Sequence, residues 1–267
     1  MKTLFVTALG ALLAFTMTSS TPETSNGAAQ PAAGVKNIVL VHGTWADGSS
    51  WAKVIPLLLA KGYHVTAVQN PLTSLTDDVA ATKRALALQD GPVLLVGHSW
   101  GGVVITEAGN DAKVAGLVYV AAAAPEEGQS FLELVQTAPA TPGNDEIRPD
   151  ASGFVSMTPK GIKEDFAQDL TQTEQQVLIA TQGPQAFSAL QEKITRAAWK
   201  TKPSWYIVAQ NDRMINPDLE RTLAKKMNAT TTVLPASHVV MLSQPEKVAA
   251  VIAEAASKLA TPKMAAR

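Results

Sequence analysis

From Val35 onward, short continuous apolar runs alternate with longer stretches whose apolar residues recur every three or four positions. Asn37–Val41 is aliphatic and β-branched, as a strand buried on both faces requires. Trp51–Lys61 follows with helical spacing at Val54, Leu57 and Leu58 and stops at Gly62. His64–Val68 reads as the next strand. Asp77–Gln89 reads as a helix with Thr76 as its N-cap and Gly91-Pro92 as its stop. Val93–Val96 and Val114–Val120 are further strands, with a helix over Gly101–Gly109 between them. This strand–helix alternation predicts a parallel sheet covered by helices on both faces.

The alternation breaks at Pro125 and resumes at Ser204. The intervening 125–203 segment is irregular in Pro, Gly, Gln and Thr. Helical patches lie near Ser130–Gln136, Pro159–Gln168 and Thr173–Thr195, and no strand signal is evident. It reads as a helical lid inserted between two strands of one sheet. Ser204–Ala209 is the next strand, followed by a helix over Pro217–Met227, a short strand over Thr231–Leu234 and a final helix over Pro245–Leu259. The organisation is then a core in two parts, 34–124 and 204–260, with the lid at 125–203 and a tail at 261–267.

Residues 1–33 follow another logic. Lys2 precedes an apolar run from Leu4 to Met17, and a stretch rich in Ser, Thr and small residues follows it. This order resembles a secretory signal peptide, and its apolar run is shorter than the roughly 20 residues a membrane span needs. The expectation is export to the periplasm or the medium, with no stable membrane insertion of the mature protein.

Charge and composition narrow the chemistry. With 22 Lys and Arg against 23 Asp and Glu, the chain lacks the basic footprint of a nucleic-acid binder. It contains no cysteine, which removes thiol nucleophiles, Cys-ligated metals and disulfides. Covalent catalysis would need another nucleophile. Gly97-His98-Ser99-Trp100-Gly101 lies between a strand and a helix, where a tight turn lifts the Ser99 hydroxyl above the sheet edge.

A serine hydroxyl needs a base to take its proton. Among four histidines, His98 lies inside the elbow, His64 opens a strand and His42 is placed to organise the loop at Gly43. His238 follows the last short strand at the carboxyl edge of the sheet, where ligands bind, and is the candidate base. Asp212, just after the Ser204–Ala209 strand, is the candidate acid; Glu126, Glu127 and Asp218 are its rivals. The order Ser99, Asp212, His238 suits an α/β-hydrolase arrangement. The oxyanion donors expected are the backbone N–H groups of Trp100, after the nucleophile, and of Thr44, after Gly43. Trp45, Trp100, Phe131, Phe154 and Phe187 are candidates for an apolar pocket.

Val39–Trp51, Val96–Gly102, Asp212 and Ser237-His238 together resemble the α/β-hydrolase superfamily. Within it the chain is similar to the compact group of carboxylesterases, plant methyl-ester esterases and hydroxynitrile lyases. The resemblance covers about residues 35–259. It implies an α/β-hydrolase fold of about six parallel strands flanked by helices and a lid that sets substrate preference. It also implies a serine hydrolase of small-to-medium carboxylic esters, acting on a small molecule without cofactor or metal. Lyases of the group typically carry Thr where Gly43 stands and Lys directly after the base histidine; this chain has Gly43 and Val239. A non-catalytic binding protein on the same scaffold would have lost a triad member, and none is missing here.

Overall fold

The apolar runs assemble into one parallel sheet. A computed structural model describes residues 34–259; the expected signal segment lies outside them. The first half of the core contains β1 (Asn37–Val41), α1 (Ile55–Leu59), β2 (His64–Ala67), α2 (Leu75–Ala87), β3 (Val93–His98), α3 (Gly101–Ala108) and β4 (Val114–Val120). The inserted segment contains α4 (Phe131–Val135), β5 (Ile147–Pro149), β6 (Phe154–Met157), α5 (Pro159–Gly161), α6 (Gln172–Thr181) and β7 (Gln185–Ala186). The chain returns through β8 (Ser204–Ala209), α7 (Pro217–Lys226), β9 (Thr230–Leu234), α8 (Val240–Ser243) and α9 (Pro245–Lys258).

The main sheet has six parallel strands in the order β2-β1-β3-β4-β8-β9. Every residue of β1, β3 and β8 is buried, which explains their unbroken apolar runs. Of the edge strands, β2 is largely half-buried and β9 largely exposed, and both are more polar than the central strands, with three consecutive threonines in β9. Helices cover the sheet in two groups, α2 against α3 and α1 against α9. In register, Val41 of β1 stands opposite Gly97 of β3. The two loops that leave these strands therefore start side by side.

Two helix boundaries differ from the sequence reading. α2 starts two residues earlier than expected because Ser74, not Thr76, caps it: the Ser74 hydroxyl accepts from the Asp77 N–H at 2.9 Å. The Trp51–Lys61 stretch is a 3₁₀ turn over Gly48–Trp51 and a short α1 rather than one helix. The lid carries helices as expected, and it also holds a three-stranded antiparallel sheet in the order β5-β6-β7. The helical pattern read over Thr173–Thr195 ends at α6, since Gly183-Pro184 cannot continue it, and β7 then pairs with β6. At the base of the lid, Trp199 Nε1–H donates to the carbonyl of Pro125 at 3.0 Å, tying its exit to its entrance.

Candidate active site

Two close contacts shape the turn after β3. A side chain added at Gly97 would meet the Gly101 carbonyl oxygen at 2.5 Å, and one at Gly101 would meet that of Val41 at 2.5 Å. Glycine at both places lets β3, α3 and β1 converge. Ser99 at the apex has φ +53°, a left-handed conformation that costs a non-glycine residue about 1–2 kcal/mol. Its backbone is held from both sides. Its N–H donates to Val120 O (3.2 Å), and its carbonyl accepts from the N–H groups of Gly102 (2.9 Å) and Ala123 (3.2 Å).

His238 and Asp212 reach the same edge from the far side of the sheet. Asn211 N–H donates to Ala236 O (3.1 Å), joining the loop after β8 to the loop after β9. His238 Nδ1 then lies 2.6 Å from Asp212 Oδ2, both side chains being almost fully buried. The other carboxylate oxygen accepts from the N–H groups of Met214 (2.7 Å) and Ile215 (3.0 Å), which leaves Oδ2 to the imidazole. The acceptor at Nδ1 places the ring proton there and leaves Nε2 with a free lone pair. Ser99 and His238 line one cavity, although no hydrogen bond joins Ser99 Oγ to the ring. The lid braces both loops: Asp169 accepts from the Ser237 N–H (2.8 Å), and Gln168 donates to Asn211 O (2.7 Å).

The rival acids face elsewhere. Glu126 is bound by Lys226, with Lys200 at 3.8 Å, and the Lys226 hydrogen bond holds its carboxyl below the usual range. Glu127 lies 3.6 Å from Lys200, and the exposed Asp218 pairs with Arg221 at 2.9 Å. None of the three bonds His238. The other histidines have structural partners. His98 is fully buried, and its Nε2–H donates to the backbone carbonyl of His238 (3.0 Å), fixing that loop. His42 Nε2 accepts from the Asn70 N–H (2.9 Å), so its Nδ1–H donates to Gly43 O (2.9 Å); burial pushes its pKa down. His64 sits on the edge strand against Asn37.

The loop after β1 passes directly over the elbow. A Cβ at Gly43 would lie 2.6 Å from Ser99 Cβ, so only glycine admits this approach. Thr44 and Trp100 are both buried, and among the described residues neither backbone N–H has a hydrogen-bond partner. Two unpaired amides flanking one hydroxyl can receive a developing negative charge. Trp45, with φ +59°, anchors this loop to the lid by donating from Nε1 to Val155 O (3.0 Å).

The cavity has a volume of about 230 Å³. Trp45, Phe131 and Phe187 line it with Leu132, Val155 and Met214, and no Asp, Glu, Lys or Arg side chain contributes to its wall. Two of the aromatic candidates lie outside it. Phe154 lines a separate depression on the surface. Trp100 is wholly buried, with Nε1–H donating to Asp78 at 2.7 Å and its ring edge against Phe131.

Two acids wholly excluded from solvent, Asp78 and Glu220, were absent from the sequence reading. Burial raises the Asp78 carboxyl to about 6, against the hydrogen bonds from Trp100 and Leu72. Glu220 of α7 is fully buried and abuts Asp212. Each interrupts an otherwise buried helical stripe: Leu75, Asp78, Val79, Thr82 and Leu86 on α2, and Leu219, Glu220, Leu223 and Ala224 on α7. An acid on such a stripe was the signal available.

Fold and site together define a hydrolase of the α/β type. The alpha/beta hydrolase family profile matches residues 38–251, and the chain belongs to that family. Within it the protein groups with the compact esterases. It is 28% identical over 260 residues to a pyrethroid hydrolase of Sphingobium wenxiniae, covering 82% of this chain and 87% of that one. It is 26% identical over 240 residues to an alpha-hydroxynitrile lyase of Arabidopsis thaliana, covering 79% and 93%. A crystal structure of a pyrethroid hydrolase superposes with a TM-score of 0.72 at 26% identity, over 85% of this chain and 99% of the other. Further relatives carry esterase names.

Proposed function

We propose that the protein hydrolyses uncharged carboxylic esters of small to medium size through an acyl-enzyme on Ser99. One observation carries the reading: the buried His238–Asp212 pair, 2.6 Å apart, opens onto the cavity that also receives Ser99. His238 Nε2 takes the Ser99 proton as Oγ attacks the ester carbonyl, and Asp212 stabilises the resulting imidazolium. The hydrogen bond this transfer needs, which does not join Ser99 Oγ to the ring in this structure, is of the kind that tightens as substrate enters. The Thr44 and Trp100 amides receive the oxyanion, an interaction worth about 3–4 kcal/mol per donor in related chemistry. His238 then returns its proton to the leaving alcohol, and water, deprotonated by the same ring, cleaves the acyl-enzyme. The absence of charged side chains from the cavity wall favours esters neutral in both acyl and alcohol parts. Gly43, against which lyases of the group carry Thr, favours hydrolysis over the lyase reaction. Export remains part of the reading, carried by the order of charge and apolar residues before Pro31.

The test is Ser99→Ala. Turnover of p-nitrophenyl esters of graded acyl length should fall by several orders of magnitude, and labelling by a fluorophosphonate should vanish while circular dichroism is unchanged. Undiminished turnover in a folded alanine variant would sink the serine-hydrolase reading, and absence of turnover in the unaltered protein would favour a binding protein on this scaffold.

A further inference from the structure

Glu220 is an expensive residue to keep. It sits in the first turn of α7, is wholly excluded from solvent, and belongs to the helix face formed with Leu219, Leu223 and Ala224. An unpaired buried charge costs several kcal/mol, so burial alone favours an apolar side chain here. One oxygen has a structural use. Oε2 accepts from the N–H of Ala209, the last residue of β8, at 3.0 Å. Oε1 is also sealed from solvent and receives no N–H or O–H from the surrounding protein groups. The Glu220 carboxyl also lies against that of Asp212, close enough for a hydrogen bond between the two groups.

Two ionised carboxylates cannot share such a contact in a medium of low polarity. One must hold a proton, and Asp212 is the worse holder. It already accepts two backbone N–H bonds on Oδ1 and the imidazole on Oδ2, all of which favour its charged form. The proton therefore belongs on Glu220. We propose that Glu220 is a positioning residue of the active site: as a neutral carboxylic acid it donates a hydrogen bond to Asp212 and fixes the carboxylate that orients His238.

Its protonation is supported by its surroundings. Burial first, and the Asp212 charge second, push the Glu220 proton affinity well above the usual carboxylate range, with Ala209 N–H and Arg221 opposing. The remaining titratable neighbour is Tyr206 of β8, whose own proton is held by burial and by the same two carboxyls. Tyr206 is not available as a donor to Glu220, because its hydroxyl donates to Ala122 O.

This role rests on the triad reading, and the experiment separates the two. Glu220→Met removes the donor at similar volume; Glu220→Gln keeps both functions, with its carbonyl oxygen on Ala209 N–H and its NH₂ on Asp212. Each is made alone and in the Asp212→Asn background, with Ser99→Ala beside them, and is checked for folding by thermal melting. Glu220→Met should lower kcat by about tenfold or more, the scale of one hydrogen bond to a charged group, with KM within about twofold. It should also move the acid limb of kcat/KM to higher pH, since an Asp212 relieved of its donor stabilises the imidazolium more. Glu220→Gln should retain at least about half of kcat, because an amide donor replaces the acid. In the Asp212→Asn background Glu220→Met should cost less than about twofold, because the residue acts through Asp212. Equal losses in both backgrounds, wild-type kcat in Glu220→Met, or failure of the folded Glu220→Gln variant to restore turnover would each overturn the proposal. Should Glu220→Met fail to fold, the Glu220→Gln outcome still decides. An active Ser99→Ala instead refutes the triad reading itself.

Discussion

Asp212 and Glu126 both follow strands of the main sheet, yet their surroundings give them different capacities. Asp212 is buried, committed on one oxygen to two amides and on the other to His238. Glu126 is over a third exposed and bound by lysine. An isosteric Asp212→Asn puts a donor where an acceptor is needed and should lower turnover by about 10⁴-fold, by analogy with the same change in a serine protease triad. Glu126→Gln should cost less than about tenfold. Turnover, pH profile and circular dichroism of both variants check this; the reverse order of effects would remove Asp212 from the mechanism. The positions of Ser99 and Asp212 were legible because each lies just beyond an apolar run, and that of His238 because it follows the last short strand, at the same carboxyl edge. The same logic led to Thr44 and Trp100. Asp78 and Glu220 escaped because a charged residue inside a helix reads as solvated. The stripe around each is the signal in the sequence, and the partner that reaches it from another element, Trp100 in one case and Asp212 in the other, goes with its burial.

Among the described helices, α6 is the one without a buried residue. Its attachments are the half-buried Leu178 and Ile179, the hydrogen bonds of Gln175 to the carbonyls of Lys163 and Ala167, and its cap. Thr171 and Glu174 form a capping box, and Glu174 also bonds Lys53, the Lys53 bond being the larger reason its carboxyl lies at about 2. Thr171→Ala should raise amide hydrogen exchange across residues 172–181, with the melting temperature changing by less than about 2 °C, as expected when about 1 kcal/mol is lost locally. Exchange that rises uniformly over the sheet would contradict a local role. Because folding lowers the Glu174 pKa, its contribution is complete above the unfolded value near 4.5 and is lost as pH falls towards 2. Protection of α6 should follow that window. The lid's helices were partly legible through their spacing, but its strands were not. β5, β6 and β7 have three, four and two residues, too few for a period, and they exist through pairing: β5 with the adjoining β6, and β6 with β7 about 30 residues further on. The central strands of the main sheet, β1, β3, β4 and β8, were readable for the opposite reason: burial on both faces writes them as largely apolar runs.

At the level of the whole chain, the proposed export predicts a boundary. Material recovered from a secreting host should begin between Thr21 and Gln30, and protein started near Pro31 should melt and turn over ester like the longer form. N-terminal sequencing settles the first point; an intact Met1 on exported protein would contradict it. The reading is compatible with either redox environment, because the chain has no cysteine to oxidise or reduce.

The strands that bracket the lid are themselves neighbours. Leu117–Val120 of β4 pairs directly with Ser204–Ile207 of β8, and Trp199 closes the loop at Pro125. In hydrogen-bonding terms the sheet does not register how much chain lies between them. Natural variation can therefore lengthen, shorten or rebuild the segment at little thermodynamic cost, since loop closure grows only logarithmically with length. The lid nevertheless supplies Phe131, Val155 and Phe187 to the cavity, while Ser99 and His238 stand on loops of the main sheet and Asp212 beside them. Inheritance of the reaction and inheritance of its selectivity are thus carried by separable stretches of one gene. Selection can redraw the lid's share of the cavity wall so long as the contacts that brace the two loops, Asp169 with Ser237 and Gln168 with Asn211, are kept.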